Sequence, residues 1–171
     1  MMRTQKLDPD RRSLHSLLIQ NNITGCTMMI NRSLLDLAAR QGLPQHAVMH
    51  DWWFALIASA LGEIGFVPQA TVLYRQHQNN QVGAKNAGSF RYNLYRLANS
   101  KAAKQSLADT YGQAAEFLDR FGPLLGEDQK WLLREFICIP SLGKWKRLHV
   151  IWNGGFWKTG LFRKCEQIWF A

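Results

Sequence analysis

Cysteine is nearly absent from this chain, long apolar runs are missing, and acidic side chains are outnumbered. The three cysteines, Cys26, Cys138 and Cys165, are too few and too far apart for a disulfide scaffold. None forms a CxxC or pairs with histidines at zinc spacing. A structural metal site is therefore not indicated, and a reducing cytoplasm is the expected compartment. No apolar run approaches about 18 residues free of charge, so no membrane-spanning helix is expected. The opening MMRTQKLDPDRR is polar and has no apolar stretch behind its basic residues, unlike a signal peptide. No internal repeat or low-complexity tract is visible.

What the chain has in quantity is positive charge and apolar surface. Its 21 Lys and Arg stand against 12 Asp and Glu, a formal charge of +9. An excess of that size favours an anionic partner: nucleic acid, acidic lipid headgroups or a phosphorylated substrate. A merely solvated basic surface accounts for the same charge without a partner. Hydrophobic residues make up 47% and aromatics 12% of the 171 positions, enough for a folded core in one domain, or one and part of another.

SLHSLLIQ reads as a short helix or extended piece. ITGCTMMI (23–30) is apolar and β-branched between polar flanks, the pattern of a strand buried on both faces. Asn31 then reads as the N-cap of RSLLDLAARQ, which Gly42 and Pro44 close. HDWWFALIASALGE (50–63) is a second helix, with Asp51 at its N-cap or first turn. GFVPQATVLYRQ (65–76) reads as an extended piece, a proline turn and a strand, ATVLY. The polar stretch 77–89 lacks apolar periodicity and is where a ligand-facing loop is expected.

From Ser89 onward the pattern is helical. Leu107, Tyr111, Ala114, Leu118 and Phe121 recur at three- and four-residue steps, after a break near 101–106 and before the stop at Gly122-Pro123. EDQKWLLREFICI, LGKWKRLHVIW and FWKTGLFRKCEQIWF follow as helices. The expected fold class is α/β, a partial Rossmann-type sheet within 1–88, followed by an all-helical region over 89–171. Helix dominates overall.

Three places carry chemistry. Asp51 is either an N-cap or a general base at a helix start, with Trp52 and Trp53 walling off water; the two roles are compatible. His77 follows the expected strand ATVLY. It is either an exposed loop histidine or a group that contacts a divalent ion or phosphate, with Arg75 assisting against anionic charge and Asn79 and Asn80 close behind. Thr24-Gly25-Cys26 contains a glycine that permits close approach of a ligand to the backbone; tight packing or a bulge is the structural alternative.

Together, NNITGCTMMINRSLLDLA and MHDWWFALIASALGEIGFVPQATVLYRQHQNNQVGAK resemble the C-terminal half of family 2 glycosyltransferases over residues 20–85. The likeness is to rhamnosyltransferase-like members that build bacterial surface polysaccharides, and GFWKTGLFRK is similar to their helical tail. The resemblance implies a GT-A-like fold and an inverting sugar transfer from a nucleotide-sugar donor to a saccharide or lipid-linked acceptor. Asp51 is then the catalytic base. Thr24, Gly25 and Cys26 line the donor-sugar or acceptor pocket, Trp52 and Trp53 shape the acceptor side, and Arg75, Asn79 and Asn80 contact substrate. His77 lies by the metal, a divalent Mg2+ or Mn2+ that offsets the charge of the departing diphosphate. His50 stands where many relatives carry Glu.

The family's nucleotide-binding half, with an Asp-x-Asp metal motif, belongs before residue 20. DPD at 8–10 has those letters but no strand before it. The chain is accordingly expected to be a truncated transferase, inactive alone. A rival reading is a non-catalytic basic helical protein that binds membrane surface or nucleic acid, though neither a helix-turn-helix nor a zinc-finger signature supports it.

The tail sharpens the question of partners. From Leu142 to Ala171 six cations face a single anion, Glu166, and four of the seven tryptophans fall here. Leu142, Trp145, Leu148 and Trp152 form one stripe; Trp157, Leu161, Cys165 and Ile168 form another. Apolar stripes flanked by Lys and Arg suit an interfacial helix on an anionic leaflet. A helical hairpin packed on the rest of the protein, its basic face solvated, is the alternative. The expected location is cytoplasmic, peripheral to the inner face of the membrane.

Overall fold

The computed structural model describes residues 8–73 and 100–170, and among these the regular structure is helical. Seven α-helices follow in order: α1 (Leu14–Ile19), α2 (Arg32–Arg40), α3 (His50–Leu61), α4 (Ser100–Phe121), α5 (Glu127–Cys138), α6 (Lys144–Asn153) and α7 (Leu161–Phe170). Short 3-10 turns lie at Gly25–Thr27, Gly122–Leu124 and Ile139–Ser141.

Local chemistry explains most boundaries. The Ser13 hydroxyl accepts from the Ser16 amide at the head of α1, and Asn31 Oδ1 accepts from the Leu34 amide at the head of α2. Gly42, at φ 76°, takes the left-handed conformation that closes α2. Gln129 accepts from the Gly126 amide to start α5, and its own amide donates to Ala60 O at the end of α3. Ala102, Ala103, Lys104 and Gln105 are strong helix formers, so α4 runs unbroken through 101–106 although apolar spacing lapses there.

Helix α3 is the centre of the molecule. It buries Trp52, Trp53, Ala55, Leu56 and Ile57, apolar nearly all round, as a helix enclosed by others must be. Leu17, Leu18 and Ile19 of α1, Phe117 and Phe121 of α4, Phe136 of α5 and Ile151 of α6 complete one continuous core. Trp53 meets Phe117 edge-on at 5.7 Å between centroids, and Phe117 stacks on Phe121 at 4.9 Å. Residues from both sides of the segment 74–99 thus share this core.

The expected α/β fold, with its incomplete Rossmann-type, GT-A-like sheet, is overturned: the described residues contain no strand. ITGCTMMI is extended on either side of the 3-10 turn Gly25–Thr27, and Met29 is 98% exposed where a doubly buried strand would hide it. Residues 70–73 are likewise irregular and exposed. The physical reason is pairing. A strand needs a neighbour for its amides and carbonyls; here the Gly25 amide goes to a side chain and the Met28 amide returns to Gly25 O. Tyr74 lies outside the described residues.

The tail is fastened to the N-terminal segment. Arg11 donates to Trp157 O, His15 bonds Gly154 O, and the Thr159 amide donates to Gln20 Oε1 at 2.7 Å. The His15 ring also packs on Phe156. The turn between α6 and α7, opened by Gly155 at φ 66°, therefore sits against residues 11–20.

Candidate functional site

The loop before α3 is fixed first. Glu116 on α4 accepts from the Gln45 amide at 2.8 Å and the His46 amide at 2.6 Å. Arg120, one turn on, pairs with Glu116 at 2.7 Å and donates to the carbonyls of Gln41 and Leu43. Burial alone would push the Glu116 carboxyl up, but the two amides and the Arg120 guanidinium outweigh it and hold it below its ordinary value. Val48 then donates to Gln113. The chain enters α3 at His50 from a held position.

Asp51 occupies the first turn of α3, with Met49 as N-cap. Its carboxylate takes one amide of its own first turn, that of Trp52. The residue is 3% exposed and reaches back to the segment after α1. Asn21 Nδ2 donates to Oδ1 at 3.1 Å, the Gly25 amide donates to Oδ2 at 2.8 Å, and the Trp52 amide donates to Oδ1 at 2.7 Å. Oδ1 thus serves two donors and Oδ2 one, which leaves Oδ2 a lone pair. The helix N-terminus adds a field favourable to the carboxylate.

A side chain at Gly25 would need the exposed His50 ring to turn aside. A Cβ built there meets His50 Nε2 at 2.6 Å and Asp51 Oδ2 at 3.4 Å. The exposed imidazole of His50 and the carboxylate of Asp51 therefore flank the same backbone carbon. Thr24 is half-buried and its carbonyl accepts from the Thr27 amide and hydroxyl; Cys26 is exposed.

Of the three residues Thr24, Gly25 and Cys26, Gly25 meets Asp51 through its amide, and the other two flank it in the same turn. The structure places Trp52 and Trp53 elsewhere. Trp52 donates its indole N–H to Leu17 O, and Trp53 packs on Phe117 and Phe121. Both indoles are buried, so neither offers a face to an acceptor sugar, contrary to the expectation that they shape its side. Large aromatic surfaces at consecutive positions on the innermost helix fill the core first. Arg75, His77, Asn79 and Asn80 lie outside the described residues. Among the described residues no group of three or more His, Cys, Asp or Glu could hold a metal ion, and His77, where the resemblance puts the divalent cation, is not one of them.

Sequence reading missed Asn21, which tethers Asp51. NN before an apolar run reads as a boundary, and nothing in its spacing marks a partner 30 residues away. Two surface hollows lie apart from Asp51. One of about 410 Å³ is lined by Leu142, Trp145, Lys146, His149 and Val150; another of about 270 Å³ includes Tyr111, Arg147 and Gln167. Among the described residues no helix is long and apolar enough to cross a membrane.

Comparison of the chain with protein-family models, with curated proteins and with solved structures finds no match.

Proposed function

We propose that Asp51 and the turn Thr24–Cys26 form the acceptor side of an inverting glycosyl-transfer centre. One observation supports this reading: two motifs that the resemblance assigns to a single site, TGC and HDWW, meet through the Gly25 amide and Asp51 Oδ2 at 2.8 Å. In this reading the exposed His50 ring swings aside, and the free lone pair of Oδ2 takes the proton of an acceptor hydroxyl. The hydroxyl oxygen bonds to the anomeric carbon of a nucleotide-activated sugar from the face opposite the leaving group. The bond to the nucleoside diphosphate breaks, and the diphosphate departs with the electron pair. Binding saves the reaction an encounter, while the positioned base saves it a charged intermediate.

A second reading has its own observation. Asp51 is buried and accepts three protein donors, which makes it a strut between the segment 21–25 and α3. In that reading the chain is a non-catalytic basic helical protein.

The test uses saturation-transfer NMR with a panel of oligosaccharides, and release of nucleoside diphosphate from nucleotide sugars in the presence of magnesium. In the transfer reading the chain binds a saccharide, and in an enzyme restored with a nucleotide-binding half Asp51→Asn lowers turnover about 100-fold or more while saccharide binding persists. Unchanged turnover in Asp51→Asn removes it as the base, and failure of the wild type to bind any saccharide removes the reading altogether.

A further inference from the structure

Among the described side chains of helix α7, Leu161, Lys164, Cys165, Ile168 and Trp169 are exposed, a spacing of three and one that traces a single helical face. Leu161 is 84% and Trp169 75% exposed, whereas the polar Gln167 is buried. Gln167 is held inside by accepting from the Lys158 amide and donating to Phe156 O. Helix α6 repeats the theme. It buries Ile151, yet turns Trp145 (83%) and Trp152 (71%), seven positions apart and so on one face, to solvent.

The two faces join. Trp152 meets Trp157 edge-on at 5.6 Å, and Lys164 Nζ lies 5.9 Å from the Trp157 ring centroid. Large apolar side chains gathered on a soluble surface mark an interaction site. Their rim identifies the occupant. Lys144, Lys146 and Lys164 are exposed, and the segment 142–171 carries six cations with one anion. Tryptophan at an apolar–polar boundary with lysines alongside is the composition of a helix lying in a lipid headgroup layer. At ten residues, α6 and α7 are each about 15 Å long, half of a hydrocarbon core, so they can lie on a bilayer but not cross it.

We infer that the outward face of α6 and α7, with Trp145, Trp152, Leu161 and Trp169 as its apolar contacts, docks on an anionic lipid surface. The inference is independent of the glycosyl-transfer reading, since it uses other residues and its test involves no sugar.

The full chain is floated with vesicles of phosphatidylcholine alone and of phosphatidylcholine mixed with phosphatidylglycerol, while tryptophan emission is recorded. It should float with the mixed vesicles, shift its emission to the blue, and dissociate as salt rises. The triple variant Trp145→Ala/Trp152→Ala/Trp169→Ala, whose side chains are all exposed and whose fold is checked by circular dichroism, should bind at least about tenfold more weakly. No flotation with anionic vesicles, or equal flotation by the triple variant, overturns the inference. A concentration-dependent dimer in solution that the triple variant abolishes, without vesicle binding, assigns the face to a second copy. Retention of nucleic acid in place of vesicles assigns it to phosphates of that kind.

Discussion

The amide of Gly25 and the carboxylate of Asp51, 26 residues apart, meet at 2.8 Å. This bond ties an irregular turn to the innermost helix, and removing its acceptor has a defined cost. In Asp51→Asn, the amide oxygen can replace Oδ1 opposite Asn21 and Trp52. Its NH2 then faces the Gly25 N–H, donor against donor. The expected loss is about 1–3 kcal/mol, read as a lower urea midpoint with an unchanged slope. A midpoint equal to the wild type removes the strut role and leaves Asp51 free for chemistry.

Glu116 gives the loop before α3 its pH dependence. Its folded carboxyl sits below the ordinary value of 4.5. The stabilisation is therefore present above that value and is lost as pH falls through the folded one. Hydrogen exchange at the amides of Gln45 and His46 should accelerate on acidification relative to amides inside α4, after correction for intrinsic rates. Glu116→Gln should show fast exchange at neutral pH already. If that variant protects both amides as well as the wild type does, the clamp is not what holds the loop.

Phe117 joins the part of the core before residue 74 to the part after residue 99. Its side chain is fully buried between Trp53 and Phe121. Phe117→Ala leaves a cavity at that junction and should cost about 3–5 kcal/mol, measured by thermal and urea unfolding. A drop below about 1 kcal/mol would mean the two parts do not depend on this contact.

Tyr111 supplies an alkaline signature. Burial pushes its hydroxyl up to about 12, against a smaller opposing pull from Arg147. A phenol that resists ionisation when folded contributes stability that is whole below its unfolded value near 10 and fades as pH rises toward 12. Tyr111→Phe should flatten that part of the stability curve relative to the wild type, with the Phe136 ring contact preserved. Identical alkaline slopes in the two proteins would contradict the burial of this hydroxyl.

Much of the helical framework was legible in the sequence. Asn31 before RSLLDLAAR, Gly42 after it and Gly122-Pro123 at the end of α4 are local signals: each acts on backbone within a few residues, and the structure puts helix ends at all of them. The strand expectation failed where a local pattern was asked a non-local question. An apolar, β-branched octet suits a strand only if a partner strand exists, and ITGCTMMI has none among the described residues. The stripes of the tail were visible as periodicity, but periodicity names a face without saying which way it points. On α7 a buried glutamine decided that, through bonds to Phe156 and Lys158.

The sequence by itself determined the helices, their caps and stops, the positive charge and the concentration of tryptophan in the tail, because these follow from short-range backbone chemistry and composition. Only the tertiary structure decided that Trp52 and Trp53 belong to the core, that Asp51 reaches Asn21 and Gly25 as well as the Trp52 amide of its own helix, and that Trp145, Trp152, Leu161 and Trp169 look outward. Each of those outcomes depends on which segments meet across tens of residues. Burial and hydrogen bonding between distant segments are set by the sum of the packing, which no single stretch of chain contains.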